Sequence, residues 1–208
     1  MAVTDDFNRA DGALGSNWTS VYGTAPSVFS NKCRGAAWAA SGLAMYNGAF
    51  PNDQYAECKV SVADGIYDKH GPAVRCSTAS GGSAYVMIIT VANGNANVYK
   101  LVNGSMGGAP FLAWASMGLS AFADGDTAKL AVSGTTITPY KNGSAGTGTT
   151  DSDISSGNPG VWADNGASGS TYALDDFAGT DAAGSGGIIS RVGGGLVGGG
   201  LVGGGLVQ

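Results

Sequence analysis

Between Asp124 and Asp151 the chain writes three antiparallel strands in immediate succession, and a chain that does so has to supply a larger sheet for them to join. Ala128, Leu130 and Val132 alternate with Thr127, Lys129 and Ser133, the period of two of a strand with one buried and one wet face. Ser133-Gly134 then makes a short reversal, Thr135–Lys141 is rich in β-branched and aromatic residues, and Asn142-Gly143 is a strong hairpin signal. A meander of about 25 residues cannot bury its own apolar face, so further strands must cover it.

The rest of the composition agrees. The 208 residues suffice for one good core. Glycine accounts for 37 of them and charged residues for only 12%, whereas helices draw on glutamate, lysine and leucine. Glu57 is the sole glutamate, and no window of ten or more residues carries a 3.6-residue period. The chain therefore reads as all-β.

The segment DGDTAKLAVSGTTITPYKNG resembles a hairpin of concanavalin A-like (laminin-G-like, laminarinase-like) jelly rolls, especially those of bacteriophage virion proteins. TDDFNRADGALGSNWT at the start and NPGVWADNGASGSTYALDDFAG near residue 178 resemble the first and last strands of such domains, which lie side by side. The likeness runs from Val3 to Gly179 and implies an antiparallel jelly-roll β-sandwich over residues 1–179. Pro139 departs from the pattern; lacking an amide proton, it predicts a sheet edge or a bulge there.

Within that frame, the first strand is expected at Val3–Arg9 and an opening hairpin strand at Trp18–Tyr22. Lys32–Ala39 and Gly42–Tyr46 are expected to pair around Ala40-Ser41. Gln54–Ala63 is amphipathic, with Ala56, Cys58, Val60 and Val62 inward and Tyr55, Glu57, Lys59 and Ser61 outward. Asp64–Gly71 reads as a loop holding His70. Pro72–Ser77, Ser83–Ala92 and Ala96–Val102 read as a central antiparallel group, turning at Ser80-Gly81-Gly82 and Asn93-Gly94-Asn95. The run Ala84–Val91 is apolar on both faces, so its second face must also be covered, by a loop, a partner or a ligand. Phe111, Trp114 and Phe122 suggest that Gly104–Ala123 crosses over the sheet, and Gly160–Asp164 with Thr171–Ala178 complete the sandwich.

The net charge is −5 and the ten basic residues are scattered singly, which argues against a nucleic-acid partner. Cys33, Cys58 and Cys76 are an odd set, so at least one is unpaired; all three read as buried thiols, with a disulfide between two of them left open. MAVTDDFNRADG has no basic segment followed by an apolar run, and no transmembrane span is found. For a lectin-like β domain this suits localisation in a virion, made in the host cytoplasm and released by lysis.

Past Gly179 the composition changes. Residues 180–187 form a small-residue linker, and residues 188–208 carry GGGLV three times in register. Glycine triplets are costly to order, and the apolar residues Ile188, Ile189, Val192, Leu196, Val197, Leu201, Val202, Leu206 and Val207 are too few for a core. Extended, this arm reaches roughly 65 to 70 Å. It is expected to gain order by docking on another subunit, in a homo-oligomer such as a trimer. It is too short and too weakly apolar for a membrane span.

Chemistry on such a fold resembles that of laminarinases, where two glutamates flank an aspartate on one strand; a single glutamate does not meet that pattern, and no catalytic residue is assigned. The pairs Asp5-Asp6, Asp124/Asp126, Asp151/Asp153 and Asp175-Asp176 read as turn and strand-start residues. No cofactor is expected beyond a structural calcium, which the resemblance implies where first and last strands meet, with Asp6 and Asp175 or Asp176 as ligands. His70 lacks a second ligand at metal spacing. Glycan binding needs exposed aromatic faces and a few fixed polar groups, for which Tyr55, Arg75, Tyr85, Trp114 and Trp162 are the candidates. Three Asn-X-Ser/Thr sequons, at Asn17, Asn103 and Asn142, read as turns. The sequence thus points first to a non-enzymatic structural virion protein, a capsid decoration or tail-fibre subunit whose arm docks on other virion subunits. The alternative is a carbohydrate-binding module or adhesin recognising host or environmental glycans. An aspartate-based glycosidase is a third reading.

Overall fold

The computed structural model describes residues 2–37, 40–62, 68–165 and 173–181. The strands, in chain order, are β1 (Val3–Asp5), β2 (Gly12–Ala13), β3 (Trp18–Gly23), β4 (Ser27–Phe29), β5 (Lys32–Arg34), β6 (Ala40–Tyr46), β7 (Gln54–Val60), β8 (Lys69–Ser77), β9 (Ser83–Thr90), β10 (Ala96–Val102), β11 (Ser105–Met106), β12 (Thr127–Ser133), β13 (Thr136–Lys141), β14 (Ser144–Ala145), β15 (Thr149–Thr150), β16 (Asn158–Asn165) and β17 (Leu174–Asp181). A single turn of helix, α1 (Trp114–Met117), lies between β11 and β12. Among the described residues no helix is long and apolar enough to cross a membrane.

The strands form two antiparallel sheets. One has ten strands in the order β14-β13-β12-β7-β17-β5-β4-β2, with β1 also on β17 and β15 also on β13; the other has seven, in the order β11-β10-β9-β8-β16-β6-β3. Neighbours far apart in sequence, such as β7 beside β17 and β8 beside β16, make this a jelly-roll β-sandwich. The first and last strands do pair, Val3 opposite Gly179 and Asp5 opposite Phe177.

The meander expected from the sequence is present as β12, β13 and β14. Asn142 and Gly143 both adopt positive φ, 48° and 80°, the geometry a two-residue hairpin turn demands. Pro139 sits where the outer side of β13 is free of a ladder: β15 pairs with Thr136 and Ile137, β14 with Tyr140 and Lys141, and the proline falls between them. Its missing amide proton therefore costs no hydrogen bond, and its carbonyl accepts from Gly146 N at 2.8 Å.

Between the sheets lies the main core. Ala56, Cys58 and Val60 of β7 and Leu130 and Val132 of β12 meet Val74, Tyr85, Met87 and Ile89 of the seven-stranded sheet. Burying side chains such as Met87 and Ile89 stabilises the fold by roughly 2 kcal/mol each. A second apolar cluster occupies the outer face of the seven-stranded sheet and comprises Val21, Leu43, Ala73, Cys76, Ala84, Val86, Ile88, Leu101 and Trp162. This explains why Ala84–Val91 is apolar on both phases of its alternation. Cys33, Cys58 and Cys76 are all buried free thiols.

Several expectations are corrected. Lys32–Ala39 and Gly42–Tyr46 do not form a hairpin: β5 pairs with β4 and β17 in the ten-stranded sheet, whereas β6 joins β3 and β16 in the other. The first strand stops at Asp5 instead of Arg9, because the Asp5 carboxylate accepts from Phe7 N at 2.8 Å and Phe7 turns to a φ of 50°. His70 is not in a loop but on β8, buried, where its Nε2 accepts from Ser61 N at 3.1 Å. The last strand runs through Thr180 and Asp181, the first two residues of the expected linker. The remainder of that linker, and the arm over residues 188–208, lie outside the described residues.

Candidate functional site

The five sequence-predicted glycan contacts do not share a surface. Tyr85 points into the core from β9 and is 0% exposed; its hydroxyl donates to Asp151 and accepts from Ile154 N at 3.2 Å. Burial, then the bond to the Asp151 carboxylate, pushes its phenol up to about 12. Arg75, 3% exposed, is an internal strut. Its Nε donates to Asn52 O at 3.0 Å, one Nη to Ile154 O at 2.8 Å and the other to Gly134 O at 2.6 Å, so a single guanidinium ties three loops together. Its own amide donates to Gln54 Oε1 at 3.2 Å, and Gln54 is itself fully buried. A β-bulge at Arg75, with φ of 51°, turns the side chain out of the alternation that sequence reading assumes.

Trp114 begins α1 and packs against the main core, and its backbone N donates to Asn97 Oδ1 at 2.9 Å. Tyr55 lies on the outer face of the ten-stranded sheet, in a notch shared with Lys129 and Tyr140. Only Trp162 stands on the outer face of the seven-stranded sheet.

That face holds a groove of about 220 Å³, lined by Ser41, Lys69, Ile88, Thr90, Asn97, Tyr99, Met106, Trp162 and Asp164. Its construction follows from strand alternation. On β10, Asn97, Tyr99 and Leu101 face outward while Ala96 and Val98 enter the core; on β16, Trp162 and Asp164 face outward while Val161 and Ala163 go in. Tyr22 of β3 stacks on Trp162 with ring centroids 6.1 Å apart and planes 20° apart, and Tyr99 and Met106 pack on the same cluster. The floor is thus aromatic and aliphatic, and the polar residues gather at one end.

At that end Ser41 is the cross-strand partner of Asp164. Burial raises the Asp164 carboxyl above the ordinary carboxylate value, against the opposing pull of the Ser41 hydrogen bond and of Lys69. The Trp162 indole N–H is buried and has no acceptor among the described residues. A buried donor without a partner costs about 1 to 3 kcal/mol, which an oxygen-rich occupant or water can recover. Tyr99, Lys69, Ser41, Thr90, Asn97 and Asp164 were missed from sequence. The available signal was β10 itself, where polar and aromatic residues fall on one phase and small apolar ones on the other.

The three carboxylates expected at a calcium site do not all line one groove. Asp6 and Asp176 line one large groove of about 580 Å³ along the β1/β17 edge, whereas Asp175 lines a smaller one with Lys32 and Lys59. Asp176 is paired with Lys59, and Asp6 accepts from Asn8 N at 3.0 Å. Among the described residues no three His, Cys, Asp or Glu side chains are placed to hold a metal ion. Asp151 and Asp153 both bond Lys100, and Asp126 bonds Lys141, so these carboxylates serve as loop fasteners.

No family model matches the sequence, and no curated protein matches it. Solved structures do resemble the fold. The carbohydrate binding module CBM66 from Bacillus subtilis superposes with a TM-score of 0.52 at 14% identity, over 82% of this chain and 96% of that one. A prokaryotic β-1,3-1,4-glucanase (lichenase) from a mouse hindgut metagenome gives 0.54 at 9% identity, over 86% and 98%. The carbohydrate recognition domain of Emp47p gives 0.50 at 12% identity, over 86% and 94%. At these identities the likeness speaks for architecture alone: the chain is a jelly-roll β-sandwich of the kind shared by glucanases and carbohydrate-binding modules.

Proposed function

We propose that this protein binds a glycan without turning it over, and that the sugar lies on the outer face of the seven-stranded sheet. The observation that carries this reading is the groove over Tyr99 and Trp162. It sets an apolar, aromatic floor beside hydroxyl, amide, ammonium and carboxyl groups, the mixture that a sugar with one C–H face and several hydroxyls requires. The carbohydrate-binding module and recognition domain among the similar structures support it. Glycoside hydrolysis calls for two carboxyl groups facing each other across the bond to be cut. Asp164 is the carboxylate among the described groove residues, and Glu57 sits on the other sheet, which supports binding over turnover.

The test is Tyr99→Ala, a half-exposed residue whose loss leaves the main core intact. A glycan array identifies a ligand, and calorimetric titration of wild type and variant follows. Removing this aromatic surface is expected to weaken binding by about tenfold or more. An array without a hit, or a variant that binds as well as wild type, overturns the assignment.

The virion role is a separate proposal resting on the GGGLV repeat. Deletion of the residues after Gly187 is expected to leave the sandwich folded and abolish assembly into a particle; a truncated chain that still incorporates removes that role.

A further inference from the structure

We propose a second binding site, for an anionic sugar unit, on the outer face of the ten-stranded sheet in a notch above Ala131. The notch follows from register. Tyr55, Ala131 and Thr138 stand side by side on β7, β12 and β13; Lys129 and Tyr140 make the next row on one side, Ser133 and Thr136 the row on the other. Ala131 is the short side chain at the centre, and the space above it is about 160 Å³, walled by those six residues.

The Lys129 ammonium lies 5.1 Å from the Tyr55 ring centroid and 4.2 Å from that of Tyr140. Ring faces attract a cation but leave its charge uncompensated. Glu57 is directly opposite Lys129 across the ladder, yet among the described residues no ion pair joins them, whereas Lys59, Lys100 and Lys141 each hold an aspartate. At the far end of the notch the polarity reverses. Just beyond Ser133, which lines that end, Asp53 accepts from Ser133 Oγ at 3.1 Å and from Gly134 N at 2.7 Å and stands 3.8 Å from the Arg75 guanidinium, with a lone pair left for a sugar hydroxyl.

A sugar ring bearing a carboxylate or sulfate matches this gradient. Its acidic group meets Lys129, its C–H face meets the tyrosine rings, and its hydroxyls reach Thr136, Thr138 and the Asp53 end. A neutral sugar leaves the ammonium unanswered. The chain as a whole carries a net charge of −5 and repels polyanions, so affinity for one has to arise locally. The notch shares no residue with the groove on the other sheet and does not depend on it.

Polygalacturonate, a carboxylated probe, and heparin, a sulfated one, are titrated against the full chain at low salt, with dextran as the neutral control. At least one acidic polymer is expected to bind, with affinity falling about tenfold in Lys129→Gln, which removes the charge-assisted contact. Ala131→Leu, which fills the notch and keeps the charge, is expected to cause a comparable loss, and Tyr99→Ala none. If neither acidic polymer binds, or if binding survives both Lys129→Gln and Ala131→Leu, the proposal fails. Binding lost only in Tyr99→Ala overturns it equally, by moving the acidic ligand to the other sheet. Should Ala131→Leu fail to fold, the lysine variant decides.

Discussion

The outer faces of the two sheets are built from the same alternating pattern but are supported differently. On the seven-stranded sheet the outward side chains pack on one another: Leu43, Val86, Leu101 and Trp162 are nearly or fully buried although, among the described residues, no second layer of strands covers them. On the ten-stranded sheet the outward residues Tyr55, Lys129, Thr138 and Tyr140 remain half-buried around one shared notch. The first face is a small core with a groove cut into it. The second is a wet surface with one notch. A ligand on the first meets residues that also hold the fold together, whereas a ligand on the second meets residues that the fold can do without.

The difference is sharpest where a large side chain is removed from each. Trp162→Ala is expected to cost about 3 to 5 kcal/mol in chemical denaturation, the range for deleting a buried aromatic ring. An unfolding free energy close to wild type would show that the outer cluster contributes no packing. Next comes the element on which both sheets rely: Arg75→Met strips the donor from three loop carbonyls and is expected to cost about 3 kcal/mol. If the variant melts like wild type, the strut is dispensable and the two sheets are held together by the core alone.

A pH effect separates the interior from both faces. Burial pushes the His70 imidazole down to about 4, so the unfolded chain takes up a proton near pH 6.5 that the folded chain refuses until near pH 4. Stability therefore falls as pH drops through that window, by about 2 kcal/mol at pH 5 relative to neutral pH. His70→Gln keeps an acceptor for Ser61 N and is expected to flatten this slope; an equally steep slope in the variant would assign it to other groups. Smallest of all, Tyr55→Ala on the wet face is expected to change stability by about 0.5 kcal/mol or less and to leave binding in the opposite groove unaltered. A drop comparable to that of Trp162→Ala would erase the distinction between the faces.

What the sequence disclosed and what it withheld follow the same division. The meander, the central strands β8 to β10 and the pairing of first with last strand were legible because each rests on local alternation, turn chemistry or a patterned end segment. Pro139 was legible because, with no amide proton, it cannot donate to a ladder and so belongs at an edge or a bulge; its N side indeed faces the gap between β14 and β15. The partner of β5 was not: its alternation suits a neighbouring hairpin as well as β17, and only the closed sandwich decides between them. Tyr85 was misplaced because Ala84–Val91 is apolar in both phases and offers no clue to which phase faces in. Arg75 was misplaced because a bulge reverses parity at that residue. Tyr99 was missed because a tyrosine beside lysine on an edge-proximal strand looks like ordinary surface until β16 brings Trp162 and Asp164 alongside.

The antiparallel contact of Val3 with Gly179 brings the two ends of the described chain to the same place on the rim. A sandwich closed in this way can be spliced into a host polypeptide, or re-cut, without disturbing either sheet. A circular permutant sealed across that junction and opened between the exposed Gly107 and Gly108 should refold with both grooves intact.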